Sequence, residues 1–254
     1  MKYPYGLQLY SVRDKFEGNV AGALDAVKAA GFDCVELAGT CGLAPGALRA
    51  MLDAAGLRAV SMHYGYTELI GDPGAAAGMA ETFGIVDVVV PWLGPDLCPD
   101  HDAWVAAARA MDAAGALLRA RGIQLSYHNH SHEFQMLGGG TIFDLIYANS
   151  APGHLALQLD TCWSTVGGAD TVALLARYAG RVAMVHVKDY RAGAGSAGPV
   201  LTELGRGIMD WSSVLPAAKA AGARWFIVEQ DESQGDSMES AAVNAAFMAA
   251  CNEA

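Results

Sequence analysis

Cysteine is scarce and unpaired in this chain. Cys34, Cys41, Cys98, Cys162 and Cys251 are odd in number and scattered, with no CxxC pair. That argues against a disulfide framework or a zinc knuckle and fits reduced thiols, of which Cys162 alone stands beside a candidate ligand. Runs of lysine or arginine are also missing, and the net charge is −11, so a phosphate backbone would be repelled and nucleic acid is a poor partner. No apolar run reaches the roughly twenty residues that span a bilayer. The opening MKYPYGLQLYSVRD lacks the apolar core of a signal peptide, so no membrane partner is expected and the expected location is the cytoplasm. Charged residues make up only 17% of the chain and hydrophobic ones 53%, a balance that excludes extended disorder and leaves ample material for a core.

What is there is an alternation. Short β-favouring segments, GLQLYS (6–11), DCVELA (33–38), RAVSMH (58–63), VDVVVPW (86–92), IQLSYHNH (123–130), LALQLD (155–160), VAMVHVK (182–188) and WFIVEQ (225–230), are separated by Ala-rich stretches of helical spacing. Several of those stretches, such as PGALRAMLDAAG, close on a glycine suited to a helix C-cap. Eight such units in 254 residues predict an α/β fold, a single (β/α)8 TIM barrel over residues 1–254. A doubly wound sheet would need a Gly-rich phosphate turn after an early strand; GLGPDL and LGGGT are not so placed. AGAGSAGP (192–199) reads as a flexible loop within the domain, suited to a lid.

Strand parity sorts the polar residues. With Leu155, Leu157 and Leu159 facing the helices, Gln158 and Asp160 face the barrel interior; the same rule turns His186 and Lys188, Glu229, and His128 and His130 inward. Gln8, Tyr10, Glu36 and His63 take the inward parity on the early strands. All lie near C-terminal strand ends, the face where barrel enzymes build their sites. Buried carboxylates converging there require either mutual salt bridges or a cation. Asp160, His186 and Glu229, with Glu133 or His128 from the fifth strand, make a mixed oxygen/nitrogen set suited to Mn2+, Mg2+, Co2+ or Zn2+. The alternative is a hydrogen-bonded polar network with no ion.

The segments GLQLYSVRD, YHNHSHEF, LDTCWSTVGG, VHVKD, ELGRGIMDW and FIVEQD, spread over almost the whole chain, resemble the sugar phosphate isomerase/epimerase group of the xylose-isomerase-like barrel superfamily. The resemblance implies one divalent metal, often manganese, held by Glu, Asp, His and Glu at strand ends. By motif, Asp160, His186 and Glu229 carry over directly. Parity favours His128 as the remaining ligand and ligand type favours Glu133; Glu133 is taken here, with His128 or His130 as a base or substrate contact.

Such a site implies isomerisation or epimerisation of a small-molecule sugar or keto-sugar. A base removes the proton next to a carbonyl and the metal stabilises the enediolate. Glu133 and Glu229 would serve as acid and base and His128 as a proton shuttle. Lys188, Arg206, Glu36, His63, His130 and Trp163 are candidate substrate contacts. Against that stand plainer roles: Lys188 paired with Asp189 or Glu203, Arg206 at the surface, Trp163 or Trp211 in the core, and Glu36 and His63 as satisfied structural residues. The same chemistry extends to β-elimination from a 3-keto-glycoside or dehydration of a keto-cyclitol. No phosphate cradle is visible, so an unphosphorylated substrate is expected. A multi-metal abasic-site nuclease is disfavoured by the acidic balance, and a metal-free sugar-binding barrel is the non-catalytic alternative. The Ala-rich final stretch ESAAVNAAFMAACNEA suits packing on its own barrel or on a second subunit, which leaves a homo-oligomer open.

Overall fold

A computed structural model describes residues 2–193 and 198–253. Eight parallel strands close into one barrel: β1 (Tyr5–Gln8), β2 (Cys34–Leu37), β3 (Arg58–His63), β4 (Asp87–Val90), β5 (Gln124–His128), β6 (Leu155–Asp160), β7 (Val182–Val187) and β8 (Trp225–Val228). Each strand pairs with its neighbour in sequence, and β8 returns to β1. Helices follow the strands, so the strands are covered on both faces and read as near-continuous apolar runs. The expected barrel is therefore the observed one. Residues 194–197 of the AGAGSAGP segment, expected as a lid, lie outside the described residues. Among the described residues no helix is long and apolar enough to cross a membrane.

Local chemistry explains the element ends. Asp100 caps the helix His101–Arg119 by accepting from the Ala103 N–H at 2.9 Å, and the helices Pro45–Ala55, Pro73–Phe83 and Trp211–Ala221 each stop at a glycine with positive φ. Two strands are shorter than their sequences suggest, for identifiable reasons. β4 ends before Pro91, which has no N–H to continue the ladder. β1 ends at Gln8, whose side-chain oxygen accepts from the Tyr10 N–H at 3.1 Å and turns the chain into a 3-10 helix, Leu9–Lys15. Tyr10 is thus a rim residue on that turn and not part of a strand.

The main core lies between barrel and helices. The barrel's lower interior is plugged by a separate small cluster of Cys34, Val60, Val89, Met184 and Ile227. Above that plug the inward residues become polar, with Gln8, Glu36, Ser61, Ser126 and Gln158 all buried. The final helix, Ser237–Glu253, turns Ala241, Ala245 and Met248 into the main core, so it packs on its own barrel.

One buried carboxylate organises the loop after β7. Asp189 accepts from the backbone N–H groups of Tyr190, Gly205, Gly207 and Met209 and from the Trp211 indole, all within 3.2 Å. Trp211 is therefore core, anchored by its N–H. An Asp189→Ala variant would leave these donors without a partner, at a cost of about 3 kcal/mol. A thermal melt should fall by roughly 6–12 °C in a chain of this size; an unchanged melt would contradict the role given to Asp189.

Candidate metal and substrate site

The strand register brings the ionisable residues together above the polar layer. Asp160 on β6 sits opposite His186 on β7, and His186 lies level with Ile227 on β8, two residues before Glu229. Ligand atoms of His128, Asp160, His186 and Glu229 all lie within 4.8 Å of one another, and all four residues are buried. His63, His128 and His186 form a second group on the same criterion, with the His63 ring stacked on His186 at 5.4 Å between centroids.

Each side chain is held by something beneath or beside it. Asp160 uses Oδ1 to cap the short helix Thr161–Val166, accepting from the Trp163 N–H at 2.7 Å, and this leaves Oδ2 turned toward the cluster, 3.1 Å from the Lys188 ammonium. Asn129 ties β5 to β6 by accepting from the Asp160 N–H at 3.0 Å. His186 places Nδ1 2.8 Å from Glu229 Oε2 and Nε2 2.7 Å from Glu36 Oε1. Glu36 also accepts from Gln8, Ser61 and Gln158 and lies 3.0 Å from His63 Nε2. Its two oxygens are saturated and wholly buried, so the expected role of Glu36 as a substrate contact gives way to that of an anchor for His186 and His63.

The charge inventory is unbalanced. Four carboxylates, Glu36, Asp160, Glu229 and Asp231, face two cationic side chains, His186 and Lys188. Burial alone would strip the charge from His186, but Glu36 and Glu229 outweigh it and push its pKa up to about 10. Burial also pushes Glu229 up; Lys188 and His186 override it and hold that carboxyl well below its usual range. Asp160 is raised, because burial outweighs the pull of Lys188. His128 is buried among cationic neighbours and held well below the usual imidazole value, which keeps it neutral with an available lone pair. Its Nδ1 has no partner. A neutral buried His128 beside four carboxylates that share only one ammonium and one imidazolium fits a divalent cation. Glu36 would then be the outer partner that fixes the ring of a ligating His186.

Two expectations for this region are corrected by position. Glu133 is not brought to the cluster. It packs on the helix side of β5, where its carboxylate accepts from the Tyr127 hydroxyl at 2.7 Å and the His130 N–H at 2.8 Å, and burial raises its pKa. The reason is parity: Tyr127 faces outward, and the 3-10 turn His132–Phe134 folds Glu133 back over that face. His128 takes the fifth-strand place. Glu133→Ala should lower the melting temperature through a loss of about 2–4 kcal/mol, as Tyr127 and His130 lose their acceptor, while one equivalent of bound metal survives in elemental analysis. Loss of the metal would return Glu133 to the ligand set.

Lys188 pairs with neither Asp189 nor Glu203. Its buried Nζ lies 2.9 Å from Glu229, 3.1 Å from Asp160 and 2.8 Å from Asp231, under the Trp163 ring. Arg206 is half-exposed and pairs with Glu203 at 3.4 Å, away from the cluster of buried ligands. His63, His128, His130 and Glu229 line a cavity of about 550 Å³ at the barrel mouth. Asp231 and Trp92 also line it and were missed. Asp231 shares parity with Glu229 and so could have been found; Trp92 follows Pro91 in a loop where no periodicity applies.

Residues 24–251 match the xylose isomerase-like TIM barrel family. The chain belongs to that family. Among curated proteins it is 26% identical over 149 residues to an inosose dehydratase of Lacticaseibacillus casei, a match covering 52% of this chain and 48% of that protein. The chain thus spans about half the length of the curated relatives it matches. Among solved structures it resembles a sugar phosphate isomerase/epimerase from Parabacteroides distasonis, with a TM-score of 0.83 at 22% identity over 97% of this chain and 98% of that one. It also resembles a xylose isomerase-like TIM barrel protein from Mycobacterium smegmatis in complex with magnesium, with a TM-score of 0.72 at 16% identity over 97% and 95%. These likenesses establish the barrel; chemistry must come from the side chains.

Proposed function

We propose that this xylose isomerase-like barrel is a divalent-metal-dependent enzyme that removes the proton next to the carbonyl of an unphosphorylated polyhydroxy ketone and then expels the group on the following carbon. The observation that carries this reading is the convergence of His128, Asp160, His186 and Glu229 on one point at the base of the cavity. When bound, a divalent ion such as Mn2+ or Mg2+ supplies positive charge beside the carbonyl oxygen, where negative charge develops as the proton leaves. The chain's own residues do the rest. His63 and the ligand carboxylates offer hydrogen-bond partners to hydroxyls. His130 is held neutral by burial and by Lys188, with its pKa lowered to about 3, and its Nδ1 is unpartnered. Asp231, whose carboxyl burial raises, lines the same cavity. A carboxyl and an imidazole are the two kinds of group that proton removal and leaving-group protonation need. The one lysine at the site is held by three carboxylates, which supports a substrate without phosphate.

Elimination is placed ahead of isomerisation because the curated relative named above is an inosose dehydratase. The second reading, isomerisation or epimerisation, shares the proton abstraction but returns a proton to the intermediate instead of expelling a group; it is favoured by Asp231 and His130 lining one cavity, since two proton-transfer groups can serve two faces of a planar intermediate. Incubation of the Mn2+-loaded protein with a panel of keto-sugars and keto-cyclitols in D2O, followed by NMR, separates them. Elimination should remove the proton signal next to the carbonyl together with the neighbouring substituent and leave an alkene, whereas isomerisation or epimerisation should place deuterium at that carbon with a new stereocentre or aldose. Neither alkene product nor deuterium incorporation with any member of the panel would overturn both.

A further inference from the structure

A second cavity of about 590 Å³ opens beside the first and shares two wall residues with it, Trp92 and His130. Its character is different. The first holds the carboxylates; the second is walled by Trp104, Met136, Leu137, Ile142 and Trp163, with no carboxylate or lysine among its lining residues. Trp92 stands 4.8 Å from the His130 ring and 4.6 Å from the His132 ring, so aromatic surface runs continuously from one cavity into the other. His132 is fixed in that row by its Nε2, 2.8 Å from the Leu93 carbonyl oxygen. Two buried polar atoms in these walls have no partner: His130 Nδ1, in the residue common to both cavities, and Trp163 Nε1, with the two rings 6.2 Å apart. A free ketose or cyclitol would use the first cavity and leave this apolar extension and both orphaned atoms without a function.

We propose that the second cavity binds a flat apolar group carried by the substrate, which makes the substrate class an aryl or comparably planar glycoside of a keto-sugar. The sugar ring lies over the acidic cluster, the planar group lies between Trp92, Trp104 and Trp163, and the oxygen that joins them meets the unpartnered His130 and Trp163 nitrogens. This deepens the elimination reading and rests on it. For a sugar with its ketone at carbon 3, the proton on carbon 2 passes to a base of the site. Its bonding pair forms the double bond between carbons 1 and 2, and the bond from carbon 1 to the linking oxygen breaks. That oxygen leaves with the electron pair and takes up a proton, so the products are an unsaturated keto-sugar and the free hydroxy-arene. No oxidant or reductant is consumed.

Binding tests this apart from catalysis, using glycosides that lack the ketone and cannot react. In isothermal titration of the Mn2+-loaded protein, 4-nitrophenyl β-glucoside should bind at least tenfold tighter than methyl β-glucoside. Trp104→Ala should reduce that ratio to threefold or less. Because Trp104 is buried, Met136→Asp, at an exposed wall position, serves as a second variant that leaves the core intact and should reduce the ratio likewise. Equal affinities, no binding of either glycoside, or a preference that survives both variants would overturn the proposal. Failure of the elimination reading itself would show elsewhere, as absence of metal binding or of unsaturated product from free keto-sugars and keto-cyclitols.

Discussion

Asp160→Ala should abolish metal binding and lower turnover by at least a thousandfold. Asp160 Oδ2 is buried, is held only by the Lys188 ammonium at 3.1 Å and lies 3.9 Å from His128 Nε2, so it is free to exchange that partner for a cation. Removing a charged ligand from a four-donor site takes away a full unit of the charge that offsets cation desolvation. The variant also loses the cap on Thr161–Val166, so some stability falls with it, about 1 kcal/mol. Asp160→Asn separates the two effects. An asparagine oxygen can still accept from the Trp163 N–H, so the fold should melt near the wild-type temperature, while metal affinity drops by two orders of magnitude or more. Elemental analysis and a thermal melt of both variants check this. Full metal content in Asp160→Ala would remove Asp160 from the ligand set and with it the proposed site.

The second large effect runs in the opposite direction. Lys188→Met should bind divalent metal at least tenfold tighter than the wild type while its metal-free form becomes less stable. Lys188 places an ammonium within 3.1 Å of Asp160 and Glu229, two of the four candidate ligands. It therefore occupies part of the field that a metal would enter. Like charges about 4 Å apart repel by roughly 4 kcal/mol at the effective dielectric of protein sites, and even a fraction of that is a tenfold change in affinity. Asp231 gives the lysine a third partner at 2.8 Å, away from the ligand pair. Without metal, the same lysine neutralises buried carboxylates, so its loss leaves Asp160 and Asp231 without their cationic partner and Glu229 with His186 alone. Metal titration paired with denaturation of the metal-free protein reads both halves. An unchanged affinity would show that Lys188 is remote from the cation in its bound place.

Much of this was legible in the chain. Eight apolar segments alternating with Ala-rich helical stretches gave the barrel, because the two periodicities differ and both repeat. Parity placed Asp160, His186, Glu229, His128 and His63 on the inner face, because a side-chain period of two leaves no freedom once leucines and valines claim the outer face. Glu133 escaped that rule. It lies five residues past His128, beyond the strand, where a 3-10 turn sets direction and ligand type is no guide to position. Glu36 was placed correctly but its work stayed open between substrate contact and structural anchor, since nothing in sequence shows that Gln8, Ser61, Gln158, His63 and His186 saturate its oxygens. The second cavity was invisible for the same reason: Trp92, Trp104 and Trp163 come from a loop, a long helix and a short helix that only the closed barrel brings together.

The linkage between metal and proton tests the site most directly. In the metal-free protein, His186 carries a proton up to a pKa of about 10, because Glu36 and Glu229 face its two nitrogens. Its raised pKa stabilises the metal-free fold fully below the ordinary imidazole value near 6.5, and that contribution fades as pH rises toward 10. A ligating imidazole must be neutral, so between these limits metal binding has to displace the proton, and affinity should rise with pH. Titration of wild-type protein with Mn2+ at pH 7.5, in two buffers of different ionisation enthalpy, measures this in one experiment. The expected result is one equivalent of Mn2+ bound with close to one proton released. Absence of binding, or binding with no proton released, would contradict a cation held by His186 with His128, Asp160 and Glu229.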